Sequence, residues 1–168
     1  MDANTKKTVL RMIPYGLYVL TVKGSNGDIS AATINWVTQA SFAPPLLAIG
    51  VRADSHVHQL VKQVGTFTLN ILGKGQQTAA FAFFKPAEVK ETTLSGEPYH
   101  AGANGAPILD NAPAYVECKL LTSIEGYGDH SVFVAEATDV GLKHPPTGRP
   151  DDDTLWLKDL GEKIFYGG

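Results

Sequence analysis

The pattern of apolar and polar positions predicts a chain built mainly from β-strands. Residues 15–23 (YGLYVLTVK) and 29–34 (ISAATI) are rich in aromatic and β-branched side chains, and they flank the turn cluster GSNGD at 24–28. This arrangement is typical of a β-hairpin. Residues 46–51 (LLAIGV) form an apolar run that predicts a buried strand, and residues 66–72 (TFTLNIL) alternate as a further strand.

Helical patterns interrupt these strands. Residues 4–12 favour a short leading helix, and residues 76–84 favour another. Between them, residues 57–64 place valine and leucine at spacings of three, four and seven, which is the apolar stripe of a surface helix. Asp54 or Ser55 stands where that helix needs an N-cap.

The remaining segments complete a set of strands whose hairpins imply mostly antiparallel pairing. Residues 35–45 end in two prolines, which we expect to exclude regular structure there. Residues 86–113 are turn-rich throughout and predict a long loop, which in a compact domain is usually functional or disordered. Residues 114–124 and 131–140 predict two long strands, and residues 156–166 a last strand or two. The fold class is therefore mainly β, a β-barrel with peripheral helices.

Composition narrows the class of protein. The 168 residues suit one domain spanning 1–168, and 14 lysines and arginines against 17 acids give a net charge of −3. The chain has no basic stripe, which argues against nucleic acid as a partner. We see no signal peptide, and no apolar run is long enough to cross a membrane. Because Cys118 is the single cysteine, a reducing, cytoplasmic setting is the simplest interpretation.

The first candidate site is the stretch 31–45, which gathers hydroxyls, amides and an indole between two apolar strands. A flat heteroaromatic cofactor needs donors and acceptors along its edge and apolar surface against its face. The alternative is a capped turn in which these side chains satisfy their own backbone.

The second and third candidates lie at turns. Arg52 and Ser55 join a buried strand to a helix N-terminus, whose free N–H groups and dipole suit a phosphate, although the same residues also make a plain N-cap. His130 follows Gly-Asp at a tight turn, where it either reaches over a pocket or is simply solvated. His56 and His58 are two positions apart on a helix and so face different ways, and we predict no metal site.

In order, five segments resemble the flavin reductase-like, FMN-binding family. They read PYGLYVLTVKGSNGDISAATINWVTQASFAPPLLAIGV, RADSHVHQLVKQVGTFTLNIL, GAPILDNAPAYVECKL, GDHSVFVAEATDVG and GEKIFYGG. The resemblance runs from about residue 10 to the C-terminus and is weakest across 86–104 and 141–155. Within the family, the chain is most similar to the reductase-like module of cyanobacterial flavodiiron proteins, here standing alone.

The resemblance implies a split β-barrel that forms a homodimer, with FMN near the subunit interface. It implies that the isoalloxazine ring and ribityl chain are lined by Thr33, Ile34, Asn35, Trp36, Gln39, Ala40 and Ser41. Arg52, Ser55 and His56 would hold the phosphate, Lys85 would lie near the cofactor, and His130 would be the catalytic residue where nicotinamide meets flavin. Many reductases carry a small residue where Trp36 stands, so this indole either covers the flavin or belongs to the core.

The resemblance also implies an activity. The leading hypothesis is an enzyme in which NADH or NADPH reduces FMN by hydride transfer to flavin N5, with a redox protein as a possible further partner. A second hypothesis is an electron carrier that resembles flavoredoxin, with bound FMN and no nicotinamide site. A third is a non-redox protein that binds flavin or haem, for which any of the five histidines is a candidate axial ligand.

Overall fold

The structure is a computed structural model, and it describes residues 1–166. In chain order its elements are α1 (Ala3–Arg11), β1 (Tyr18–Lys23), β2 (Ile29–Ile34), β3 (Val37–Phe42), β4 (Pro45–Arg52), α2 (His56–Val64), β5 (Thr66–Ile71), α3 (Gln77–Ala82), β6 (Thr93–Leu94), β7 (Glu97–Ala101), β8 (Pro107–Leu109), β9 (Ala114–Ile124) and β10 (His130–Leu142). Two short 3-10 turns follow, at Pro150–Asp153 and Leu157–Leu160. None of the helices in this part of the chain has the length and apolarity that crossing a bilayer requires.

Seven strands form one antiparallel sheet in the order β2–β1–β5–β9–β10–β4–β3. The edge strands β2 and β3 do not pair with each other within residues 1–166, so the sheet stays open. This confirms the predicted mainly β fold with antiparallel pairing and peripheral helices, and the barrel is split rather than closed.

The apolar stripe of α2 explains how the sheet is covered. Val57, Leu60 and Val61 are buried in one cluster with Phe67 and Phe133 of the sheet, as the spacing predicts. The Ser55 side chain caps the helix by accepting a hydrogen bond from the backbone N–H of His58 at 3.3 Å. Cap and stripe together fix where the N-terminus of α2 lies against the sheet.

The prediction that residues 35–45 exclude regular structure was wrong. Residues 37–42 form β3, and a tight connection through Ala43 and Pro44 leads into β4, in which Pro45 pairs with Phe42. A proline is tolerated as the first residue of a strand because its missing N–H then interrupts no ladder of hydrogen bonds. Only Asn35 and Trp36 separate β2 from β3.

The predicted long loop at 86–113 was also wrong, because it contains the three-stranded sheet β6–β7–β8. Ser95 and Gly96 both have positive φ, as a two-residue type I′ hairpin turn requires. The predicted strand at 156–166 is absent from the described residues. Instead, the Asp159 carboxylate accepts from the backbone N–H of Trp156 at 2.9 Å and caps a short 3-10 turn. Gly167 and Gly168, which end the predicted domain, lie outside the described residues.

Candidate functional site

One groove runs between the N-terminus of α2, the edge strand β2 and the segment that follows α3. It encloses about 570 Å³. We call it the α2 groove; residues on its walls include Ala31, Ala32, Arg52, Ser55, His56, Phe83, Phe84 and Lys85. The backbone N–H of Thr33 donates to the carbonyl of Phe83 at 3.1 Å, which joins the edge of β2 to the opposite wall.

The end of the groove at α2 carries free backbone donors. The Ser55 hydroxyl donates to the carbonyl of Arg52 at 2.7 Å, so the strand end and the helix start form one unit. The backbone N–H groups of His56 and Val57 make no hydrogen bond within residues 1–166. Free N–H groups at the positive end of a helix dipole attract an anion, and a phosphate suits them well.

The charges at this end are largely paired. The Arg52 guanidinium donates to the Asp54 carboxylate at 2.6 and 3.1 Å, which lowers the pKa of Asp54 and raises that of Arg52. The ring of His56 lies 2.7 Å from the Asp28 carboxylate. Lys85 forms no ion pair within the described residues. Exposed pairs of this kind are weak, so an incoming phosphate can displace the carboxylates.

Asn35, directly after β2, is the clearest indication that a hydrogen-bond partner is missing near the end of that strand. Its side chain is buried, and neither its amide nitrogen nor its amide oxygen finds a hydrogen-bond partner in residues 1–166. Leaving a buried donor and acceptor unsatisfied costs about 1–3 kcal/mol each. Thr33 is also buried, but its hydroxyl donates to the carbonyl of Ala80 at 2.7 Å.

Three rings gather beside the strand end that carries Arg52. The His130 ring centroid lies 4.6 Å from that of Trp36, and the Trp36 and Tyr166 centroids are 5.2 Å apart. His130 Nδ1 lies 2.8 Å from the Asp129 carboxylate, and Nε2 is hydrogen-bonded to the Tyr166 hydroxyl. His130 and Arg52 are paired positions of β10 and β4. We call Trp36, His130 and Tyr166 the ring cluster.

Hydrogen bonds within the ring cluster orient the His130 imidazole. The hydrogen bond with His130 lowers the pKa of the Asp129 carboxyl, so this carboxylate accepts from Nδ1–H. Burial raises the pKa of the Tyr166 phenol, so its hydroxyl keeps its proton at neutral pH. Both ring nitrogens of His130 are therefore engaged, Nδ1 by Asp129 and Nε2 by Tyr166.

The predicted site residues divide among four places. Arg52, Ser55, His56 and Lys85 share the α2 groove. Thr33, Ile34 and Asn35 are buried at the end of β2, and Trp36 joins His130 in the ring cluster. Gln39, Ala40 and Ser41 lie along β3 and do not line the α2 groove. Ser41 pairs with Leu46, six residues along β4 from Arg52. Whether these residues bind flavin stays a prediction.

Sequence reasoning missed some contributors to these places. Asp28 belongs to the hairpin turn, and only the β1–β2 hairpin brings it to His56. The sequence pattern places Phe83 and Phe84 at the end of a predicted helix and gives no sign of a site, yet they form a wall of the α2 groove. Tyr166 carried no local signal, because its contact with His130 spans 36 residues.

A second, larger groove of about 920 Å³ opens between α1 and the segment 156–165. We call it the α1 groove; Lys6, Lys7, Arg11, Trp36, Trp156 and Lys158 are among its lining residues. The Arg11 guanidinium lies 3.5 Å from the centroid of the Phe165 ring and ties the helix to the C-terminal segment. Trp36 borders both this groove and the ring cluster.

Residues 10–158 match the family described as "Flavin reductase like domain". The chain is 33% identical over 147 residues to the putative diflavin flavoprotein A 2 of Nostoc sp., which covers 86% of this chain and 25% of that protein. It spans about a quarter of the length of the diflavin flavoproteins that it matches.

Two further relatives are closer to this chain in size. It is 35% identical over 130 residues to the NADH-dependent FAD reductase of Streptomyces globisporus, covering 73% of this chain and 67% of that one. Its fold is similar to the crystal structure of BorF, the flavin reductase component of a bacterial two-component tryptophan halogenase. The TM-score is 0.76 at 25% identity, over 98% of this chain and 99% of that one.

Proposed function

This chain belongs to the family of flavin reductase-like domains, and from that membership we propose that it is an oxidoreductase that uses NADH or NADPH to reduce FMN. In this reaction the dihydronicotinamide gives up a hydride and is oxidised, and the flavin gains that hydride and a proton. The flavin supplies the redox chemistry; the protein binds both molecules, orients them and excludes water.

The α2 groove carries this proposal. Its end at α2 offers the free N–H groups of His56 and Val57 together with Arg52 and Ser55, which is the chemistry that a phosphomonoester requires. Phe83 and Phe84 add aromatic surface to the same groove. An anion site joined to an apolar wall suits a mononucleotide such as FMN better than free riboflavin.

Asn35 supports placing the polar edge of the ring near the end of β2. The edge of an isoalloxazine ring presents carbonyl oxygens and an N–H group side by side, and the Asn35 amide offers the complementary pair. Its two unmet hydrogen bonds fit this partner, which must displace the groups that bury the amide, because Asn35 itself lines neither groove. We assign the ring edge to Asn35 and the neighbouring backbone, and the phosphate to Arg52, Ser55 and His56, with Lys85 beside the groove.

We assign His130 the role of orienting the nicotinamide against the flavin. Asp129 engages Nδ1, so Nε2 is the nitrogen left to hydrogen-bond a carboxamide once the Tyr166 hydroxyl withdraws. The side chain is 13% exposed, so the imidazole is held by its neighbours but still accessible.

The ring cluster also supports the second candidate, an electron carrier without a nicotinamide site. Tyr166 already occupies Nε2 of His130, and Trp36 packs against the same imidazole. If this cover does not move, nicotinamide has no access and electrons pass to a partner protein instead. The two functions share the α2 groove and differ only at the ring cluster.

Self-association and location belong to the same proposal. Strands β9 and β10 expose several large apolar side chains, each between 40% and 66% exposed: Leu121, Ile124, Val132, Val140 and Leu142. This supports a homodimer in which a second copy covers these strands.

A cytoplasmic location stays a prediction. Cys118 is buried in the core, and burial raises the pKa of its thiol to about 12, so this thiol is unreactive.

The colour of the purified protein tests the proposal. We expect bound flavin absorption that bleaches when NADH or NADPH is added without oxygen. Bleaching by dithionite but by neither nicotinamide would select the electron carrier. A colourless protein that takes up no FMN would overturn both functions, and a Soret band would point to haem.

A further inference from the structure

Residues 161–166 connect the core to the ring cluster, and we call this segment the strap. Just before it, the chain is anchored in the core, where the backbone N–H of Leu155 donates to the carbonyl of Leu72 at 2.8 Å. Within the described residues, positions 162–166 make a single backbone hydrogen bond, from Ile164 to the carbonyl of Gly161 at 3.2 Å. That bond lies inside the strap, so side chains alone hold the strap against the rest of the protein.

Gly161 gives the strap a hinge. Its φ is 123° and its ψ is 160°, a backbone conformation that is open essentially to glycine alone. A Cβ at this position would meet no heavy atom within 4 Å, so neighbouring atoms do not lock the conformation. The residue directly before it, Leu160, is buried. A glycine between a buried anchor and a loosely held segment is the kind of position that absorbs a hinge motion.

The contacts that hold the strap are few and partly open to solvent. Ile164 is partly buried against the core. The Arg11 guanidinium lies 3.5 Å from the centroid of the Phe165 ring, which belongs to a residue that is 41% exposed. Tyr166 is 37% exposed, and its hydroxyl is hydrogen-bonded to Nε2 of His130. Each such contact is weak because water competes for it, so the strap can detach while the core stays folded.

The contact between Tyr166 and His130 is the one that bears on the reaction. Asp129 lies 2.8 Å from Nδ1, so Nε2 is the ring nitrogen at which another molecule can bind, and Tyr166 occupies it. A carboxamide carries both an N–H donor and a carbonyl acceptor, so it can replace the Tyr166 hydroxyl at Nε2. In that exchange one hydrogen bond is lost and one is formed, and the imidazole is not left unpaired.

Resting on the proposed function, we propose that the strap is an autoinhibitory gate, which Tyr166 closes by occupying Nε2 of His130. While the gate is closed, the imidazole is held in place and the nicotinamide cannot reach it. The nicotinamide displaces the Tyr166 hydroxyl, and the strap rotates away about Gly161. The apparent affinity for nicotinamide is therefore reduced in proportion to the fraction of molecules whose gate is open. Hydride transfer follows after opening and does not involve Tyr166.

Tyr166→Phe tests the gate, because it removes the hydroxyl and keeps the ring that packs against Trp36. FMN-loaded protein is mixed with increasing NADH or NADPH without oxygen, and the rate of flavin bleaching is followed. We expect the concentration that gives half the maximal rate to fall about two- to tenfold, which corresponds to one hydrogen bond, and the maximal rate to stay unchanged. Tyr127→Phe, on the turn before His130, alters a side chain that is 92% exposed; as the matched control it should behave as the wild type does.

Gly161→Ala tests the hinge independently of the hydroxyl. Alanine is strained at the φ of 123° that the closed strap requires, so the closed state loses stability relative to the open one. We expect the half-maximal concentration to fall at least twofold with the maximal rate kept. Gly96→Ala is the matched control, because Gly96 also has a positive φ but lies in the β6–β7 turn. It should lower the unfolding midpoint and leave nicotinamide affinity unchanged.

The results separate the gate from the proposed function. A lower half-maximal concentration in Tyr166→Phe and Gly161→Ala, but in neither control, supports the gate, and so does bleaching that appears only in these two variants. An unchanged half-maximal concentration in both overturns it. So does weaker affinity or a lower maximal rate in Tyr166→Phe, because Tyr166 would then assist the nicotinamide instead of excluding it. If FMN binds but no nicotinamide bleaches the wild type or any variant, the reductase function itself is refuted, and the gate with it.

Discussion

The two grooves differ in how their charges and supports are arranged. In the α2 groove Arg52 faces Asp54 and His56 faces Asp28, and the groove is built on β2, β4 and a helix whose stripe is buried in the core. In the α1 groove four cations face one carboxylate, and the helix that carries three of them buries no residue. A site that is built on buried elements and whose charges are balanced suits a cofactor that stays bound, which favours the α2 groove over the α1 groove for FMN.

Replacing His130 tests the difference between the two grooves at the ring cluster, which lies between them. We expect His130→Ala to lower NAD(P)H oxidation about 100-fold or more, because the nicotinamide loses the group that orients it. Bound FMN should be retained, since His130 does not line the α2 groove. Steady-state kinetics and flavin absorption measure the two effects.

The matched control for this prediction is His100→Ala. His100 has the same pairing, with Nδ1 2.5 Å from the Asp110 carboxylate, but it lies away from both grooves. Its loss should leave turnover unchanged. Equal turnover in His130→Ala and wild type would rule out the orienting role.

Gly50 offers a way to move Trp36 without touching it. A Cβ at this position would lie 3.0 Å from Cε3 and 3.1 Å from Cβ of Trp36, so the indole must shift. We expect Gly50→Ala to cost about 1–3 kcal/mol of stability and to change both tryptophan emission and NAD(P)H oxidation. Denaturant unfolding and fluorescence measure this. Gly148→Ala, which meets open space, is the control; identical spectra for the two variants would contradict the contact.

Removing one carboxylate makes the α2 groove more like the α1 groove. Asp54→Asn frees Arg52 from its ion pair, so we expect about threefold tighter FMN binding, measured by flavin fluorescence. Asp151→Asn breaks the equivalent pair with Arg149 outside both grooves and should have no effect. Weaker FMN binding in Asp54→Asn would mean that Asp54 holds Arg52 in its binding position.

The smallest expected effect concerns His58, which lies in the core that supports the α2 groove. This residue should make the free energy of unfolding depend on pH. Burial lowers the pKa of His58, whose Nε2 lies 2.9 Å from the buried Ser131 hydroxyl. Because the unfolded chain binds this proton more readily, stability should fall as the pH drops below about 6.5. Unfolding midpoints of wild type and His58→Gln from neutral to acidic pH measure it. An unchanged slope in His58→Gln would assign the acid sensitivity to another group.

The elements with their own local signals could be predicted from sequence. Aromatic and β-branched composition with turn chemistry predicts β1 and β2, and the valine and leucine spacing with Ser55 predicts α2 and its cap. This is enough to predict Arg52, Ser55 and His56 at one helix N-terminus, because all three are close in sequence.

Contacts between distant segments could not be predicted in this way. β3 was missed because Pro44 and Pro45, which follow it, suggested irregular structure, although Pro45 is the first residue of β4, where proline is tolerated. Phe83, Phe84 and Tyr166 reach their sites only through tertiary packing. The α1 groove depends on two ends of the chain meeting, and no local pattern carries that information.

The central claim is that the α2 groove holds the phosphate of FMN, and comparison of two flavins tests it most directly. Riboflavin carries the same ring and ribityl chain without the phosphate, so the affinities of FMN and riboflavin should be measured for wild type, Arg52→Ala and Arg149→Ala. We expect Arg52→Ala to weaken FMN binding about tenfold, to leave riboflavin binding unchanged and to differ from Arg149→Ala, whose ion pair has the same form. Equal losses for both flavins, or no loss for FMN, would contradict the claim.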